Sequence, residues 1–187
     1  MNSSAKSVGA NLIRTLGFTL GATTAWVALE AACLSAHAAE TRVEGQRQSS
    51  SGCTYFSTTI GRFRLSYENR ELPWGSRVDL IYGFEERENT PRARVTREWQ
   101  ERVEISVPAT APSTWSTDVS RVIESRGSAV SYKALQFVWK ITLPSGTTFY
   151  DRGNDAPMGF YSAPFADLPL TCSGAAYQPI KLGSVAR

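Results

Sequence analysis

The sequence predicts an all-β protein, two antiparallel sheets packed face to face with one short helix and one disulfide. Three observations predict it. About seven short runs are rich in β-branched and aromatic residues or alternate apolar with polar side chains. Gly, Pro and Asn signals separate them, and the strand–helix alternation of a parallel fold is missing.

The chain has 187 residues, of which 1–39 read as an export signal peptide outside the fold. Lys6 and Arg14 supply a positive start, residues 16–34 (LGFTLGATTAWVALEAACL) an apolar stretch, and Ala36-His37-Ala38 a cleavage site of small residues. Glu30 interrupts the apolar run, whereas a bilayer-spanning helix needs about 20 mostly apolar residues, so no membrane span is expected after cleavage. A secreted or periplasmic location follows. Residues 40–52 (ETRVEGQRQSSSG) are polar and lack apolar periodicity, which predicts a flexible leader. Residues 53–187 are then one domain of ordinary size.

The elements follow in order. Residues 53–67 (CTYFSTTIGRFRLSY) predict a strand in which Ile60 falls out of phase with Phe63, Leu65 and Tyr67, with Gly61 permitting a bulge. Residues 68–76 (ENRELPWGS) are a connector marked by Pro73 and Gly75. Residues 77–84 (RVDLIYGF) place Val78, Leu80 and Tyr82 on one face. A turn is expected at Asn89-Thr90-Pro91. The next strand, residues 95–107, gives Val95, Trp99, Val103, Ile105 and Val107 one parity, which makes Trp99 a core residue. Arg97 and Glu101 break that parity and predict a late start or a kink.

Residues 114–127 (TWSTDVSRVIESRG) are the helix candidate. Trp115, Val119, Val122 and Ile123 fall at i, i+4, i+7 and i+8, and Gly127 stands where a helix stop belongs. Residues 134–143 (ALQFVWKITL) form a strand with Leu135, Phe137 and Trp139 inward. A turn at Pro144-Ser145-Gly146, a return strand over 147–151, another over 159–165 and a last edge over 177–182 complete the fold. This pattern is that of an immunoglobulin-like sandwich, with a small barrel as the alternative.

Composition excludes several chemistries. The single histidine, His37, lies in the signal, so the exported chain has no Ser-His-Asp or Cys-His machinery and no histidine-ligated zinc. The net charge of +3 is mild, and Arg and Glu are interspersed over residues 85–102, so no nucleic-acid partner is expected. Cys53 and Cys172 remain after export, and an even count in an oxidising compartment predicts a disulfide. Asp151 and Asp155 are the one close aspartate pair, but their polar, glycine-containing surroundings give no reason for the raised pKa a catalytic acid needs. The DRGND spacing over 151–155 is not an EF-hand loop, so no metal and no cofactor are expected. A non-enzymatic role follows.

Residues 149–161 (FYDRGNDAPMGFY) set aromatic pairs on both sides of a polar loop, and Trp74 stands between Pro73 and Gly75 in another. Exposed rings of this kind stack on the apolar C–H face of a pyranose, with polar neighbours reading its hydroxyls. The stretch over 135–161 (LQFVWKITLPSGTTFYDRGNDAPMGFY) resembles a segment of starch- and glycogen-binding modules. In those modules a hairpin's return strand ends in an aromatic–Asp pair, before an Asn- and Gly-containing loop and a closing Asn-Tyr. The resemblance implies an immunoglobulin-like fold and glucan stacking, with Tyr150, Asp151, Asn154 and Tyr161 at the matching positions. Arg152 stands where those modules carry asparagine, and 155–159 (DAPMG) separate Asn154 from the closing aromatics. The expected ligand-binding set is Trp74, Tyr150, Asp151, Arg152, Asn154 and Tyr161, and the expected partner is a polysaccharide. The alternative is a structural or protein-interaction component of the bacterial cell envelope, with an envelope protein as partner.

Overall fold

A computed structural model describes residues 39–50, 58–88, 96–153, 159–172 and 176–185. These residues form twelve strands: β1 (Glu40–Ser49), β2 (Thr58–Glu68), β3 (Arg77–Glu88), β4 (Thr96–Val107), β5 (Ala109–Ala111), β6 (Thr114–Ser125), β7 (Val130–Thr142), β8 (Thr148–Asp151), β9 (Phe160–Pro164), β10 (Leu170–Thr171), β11 (Gln178–Pro179) and β12 (Gly183–Val185). One sheet runs β10-β1-β2-β6-β5, with β11 also on β1; the other runs β12-β9-β7-β3-β4, with β8 also on β7. Pairing is antiparallel except for two residues of β10 against β1.

The sheets pack through their alternating apolar rows. Phe63, Leu65 and Tyr67 of β2 meet Val78, Leu80 and Phe84 of β3 and Leu135, Phe137, Trp139 and Ile141 of β7 in one core. Tilted aromatic contacts cross between the layers, Tyr67 on Trp139 at 5.3 Å and Phe63 on Phe84 at 6.1 Å between ring centres. Trp139 is fully buried, as its parity predicts, and its Nε1–H donates to Thr41 Oγ1 at 3.0 Å. Gly61 lies in the inward row. A Cβ there would stand 2.8 Å from the Phe63 ring and 2.9 Å from Ile123 Cγ2, so a hydrogen is all the core admits. The register shift sits next to it, between Thr59 and Ile60.

Two expectations are corrected. The flexible leader expected over 40–52 is corrected at residues 40–49, which form β1, paired along their length with β2. Thr41, Val43 and Gly45 face inward opposite Tyr67, Leu65 and Phe63. Only Val43 is strongly apolar, which hides the alternation. The room at Gly45 is filled from elsewhere: Ile180 and Leu168 come within 2.8 and 2.9 Å of where its Cβ would lie. The helix expected over 114–127 is also absent. These residues form β6, whose buried positions are Trp115, Val119 and Ile123, a period of two, while Val122 faces solvent. The helical period fits all four apolar residues and the strand period three, and the β-branched content of VSRVI decides for strand. Gly127 ends no helix but takes the turn into β7 with φ 79°. The turn expected at 89–91 lies outside the described residues.

Two substitutions separate strand from helix in solution. Ile123→Ala should cost about 2–5 kcal/mol in chemical denaturation, as truncation of a core residue does. Val122→Ala should stay within about 0.5 kcal/mol. A helix with both residues on its buried stripe would make both substitutions costly.

Candidate functional site

The outer face of the β12-β9-β7-β3-β4 sheet carries its own apolar patch. Residues that alternate with the core rows point there, Ile81 from β3, Val138 from β7 and Phe160 from β9, and these three are buried with Trp99 packed against them. Over them opens a groove of about 500 Å³. Ile81, Val138, Gly159 and Phe160 form its floor, Trp99 and Tyr150 stand at its sides, and Glu98, Arg102 and Arg152 carry charge to its rim.

Trp99 reaches this face through a distortion of β4. The expected kink is present: pairing with β3 shifts register on both sides of Phe84, and Trp99 and Glu101 adopt φ 57° and 53°. Left-handed backbone costs a non-glycine residue about 1–3 kcal/mol, so neighbours must hold it. Gly83 makes room, since a Cβ there would lie 3.1 Å from both Trp99 Cα and the Gln100 carbonyl oxygen. Gln136, opposite Gly83 and buried, accepts the Trp99 backbone N–H through Oε1 at 2.9 Å. Arg121 of β6 pairs with the Glu101 carboxylate and lies over the Tyr132 ring at 4.1 Å. That bond holds Glu101 below its ordinary pKa. The expectation of Trp99 in the main core is therefore corrected. The bulge turns the indole onto the outer face, edge-on to Phe160 with ring centres 5.0 Å apart.

The expected ligand residues divide. Tyr150 stands opposite Lys140 on the outer face, 44% exposed, with the Arg152 guanidinium 5.2 Å from its ring centre, and both line the groove. Tyr161 turns inward, stacked on Phe137 at 5.0 Å. Its hydroxyl donates to Asp151 Oδ1 at 2.7 Å, and the same oxygen accepts the Gly153 N–H at 3.1 Å. Asp151 thus ties the end of β8 to β9 behind the groove. Trp74, in the β2–β3 connector, is 98% exposed and does not line the groove. Asn154 lies outside the described residues. The sequence pattern does not single out Phe160, Gln136 and Gly83 as site residues. The available signal is Gly83 inside a strand pattern, facing a kink marked by Arg97 and Glu101.

The tyrosines behind the groove bear on alkaline stability. Burial pushes Tyr67 from 10.0 up to about 12. Burial also raises Tyr161, with the Asp151 charge adding to it. Both groups hold their protons more tightly folded than unfolded. Their contribution is complete below pH 10 and is lost as pH rises through the folded-state pKa, about 12 for Tyr67. Unfolding free energy should therefore fall as pH rises from about 10 toward about 12 in urea titrations, and less steeply in Tyr67→Phe and Tyr161→Phe. Equal slopes for all three proteins would contradict the assignment.

No family model, curated protein or solved structure matches this chain.

Proposed function

We propose that the chain is an exported, non-catalytic binding module of immunoglobulin-like type that holds carbohydrate in the groove on its outer face. The observation that carries this is the pairing of two partly exposed rings, Trp99 and Tyr150, across an apolar floor with Glu98, Arg102 and Arg152 at the rim. Sugars present an apolar C–H face and a belt of hydroxyls. Rings serve the first, and bidentate carboxylate and guanidinium groups serve the second. The strain held at Trp99 supports the reading, because a bulky left-handed residue kept by a buried glutamine and a glycine fixes a ring in place. The likeness of residues 135–161 to starch- and glycogen-binding modules points the same way. Within the expected set this reading rests on Tyr150 and Arg152, and gives Asp151 and Tyr161 a supporting part.

Strand order supports the immunoglobulin-like type. Labelling β1 to β7 as A, B, C, C′, D, E and F, with β9 as G, yields A-B-E-D in one sheet and C′-C-F-G in the other. The disulfide belongs to the same proposal. Gln48 of β1 pairs with Thr171, one residue before Cys172, and Cys53 follows the end of β1 by four residues in the sequence. Closing a loop of roughly 100 residues contributes about 4.7 kcal/mol in the chain-entropy treatment.

A second reading, a protein-interaction component of the cell envelope, is favoured by Trp74. An indole this exposed on a connector is a ready anchor for a partner's pocket.

Titration with soluble glucan oligosaccharides, followed by tryptophan fluorescence and calorimetry, tests the groove. Trp99→Ala and Tyr150→Ala should each weaken binding at least about tenfold, equivalent to about 1.4 kcal/mol, while Trp74→Ala leaves it unchanged. Binding lost only in Trp74→Ala, or absent for every glycan tried, would sink the groove assignment; capture of an envelope protein lost in Trp74→Ala would favour the second reading. For the disulfide, non-reducing peptide mass spectrometry should recover residues 53 and 172 cross-linked, and reduction should cost about 2–5 kcal/mol of stability. Free thiols at both positions would refute it.

A further inference from the structure

Among the strands that stand outermost in the two sheets, one is long. β5 and β12 have three residues each, β10 and β11 two, but β4 has twelve. Among the described residues β4 pairs with β3 alone, so its far edge carries backbone donors and acceptors with no strand beside them. Its first half is guarded by the bulges at Trp99 and Glu101. The second half is regular, with pairing unbroken from Val103 opposite Tyr82 to Val107 opposite Val78. Unprotected edges of this kind are usually blunted by charge or by short length.

The side chains on that regular half read Arg102-Val103-Glu104, and all three are exposed. Val103 lies on the inward parity with Tyr82, yet keeps 40% of its surface in water, because the opposing sheet does not reach over it. Arg102 and Glu104 point to the outer face, where Glu104 receives Lys140 Nζ at 2.6 Å. Set antiparallel to itself about Val103, this tripeptide is complementary. Arg102 falls opposite Glu104 of the second strand, Glu104 opposite Arg102, and Val103 opposite Val103. Moving the centre to Glu101 would set like charges face to face, and moving it to Ile105 would leave Arg102 without an acidic partner. Opposite charges directly across a ladder stabilise it, and like charges oppose it.

We propose that two copies of the chain pair through this edge, β4 against β4, antiparallel and centred on Val103. The interface is isologous, with one two-fold axis through Val103, and it closes, since pairing uses up the edge on both copies. It joins the two β12-β9-β7-β3-β4 sheets into one continuous sheet and covers Val103 with its own counterpart. The proposal rests on no particular groove ligand, although Arg102 serves both the pairing and the groove rim.

The test is charge reversal read by molar mass. The chain is expressed at full length and purified as the host delivers it, then run in sedimentation velocity over a range of concentrations. Wild type should show a concentration-dependent dimer. Arg102→Glu should be monomeric, with the Lys140–Glu104 bond left in place, and Glu104→Arg should also be monomeric. The double variant R102E/E104R restores complementarity and should regain the dimer. Far-UV circular dichroism checks that each variant keeps its strands. For wild type alone, hydrogen exchange at residues 102–107 should slow as concentration rises. Monomeric wild type at every concentration would overturn the proposal. So would a dimer indifferent to either single reversal, a double variant that stays monomeric, or exchange that ignores concentration.

Discussion

The contact on which the structure depends is the burial of one inward row of rings from each sheet against the other. Tyr67 and Phe63 on one side meet Trp139, Phe137 and Phe84 on the other, and all are buried. At about 25 cal/mol per Å² of apolar surface removed from water, large rings supply most of what holds two sheets together. Because strand side chains alternate, that commitment fixes the opposite face of every strand as well. With the odd positions of β7 committed inward, Gln136, Val138 and Lys140 must face out, as must Asp79, Ile81 and Gly83 of β3. The groove follows from the core by parity.

What parity alone does not supply is an aromatic wall. On a regular β4, Trp99 would point toward the other sheet, at an edge where cover is thin. The two left-handed residues turn it outward, and the surroundings show how the strain is held. Gly83 has no side chain to obstruct the crossing backbone. Gln136 spends its buried carbonyl oxygen on the Trp99 N–H. Arg121, reaching from the opposite sheet, takes the Glu101 carboxylate. Three residues from three strands thus support one ring, a degree of organisation that a loose surface indole such as Trp74 lacks.

Much of this is legible in the amino-acid order, and the misses have physical causes. The inward rows of β2, β3 and β7 are strongly apolar at alternate positions, so the residue pattern alone assigns their faces. It does not do so for β1. The inward row there is Thr41, Val43, Gly45, Arg47 and Ser49, and the apolar atoms that complete it come from Leu168 and Ile180 more than a hundred residues away. β6 is ambiguous because Val122 adds a fourth apolar residue that fits a helical stripe, while the protein leaves it in water. For the site, Tyr150 and Arg152 are within reach, since a hairpin's return strand must present alternate residues outward. Tyr161 is not: the register of β9 on β7 sets it opposite Phe137, on the inner side, and that register depends on pairing no local pattern encodes.

We propose that recognition takes place on the outer face of the β12-β9-β7-β3-β4 sheet. Indole N–H resonances read this directly, since Trp74, Trp99, Trp115 and Trp139 occupy a loop, the groove wall and two core positions. During titration with a soluble glucan oligosaccharide, the Trp99 signal should move and saturate while those of Trp115 and Trp139 stay still. A spectrum in which only Trp74 moves, or in which none does for any sugar, would rule out the groove as the binding site.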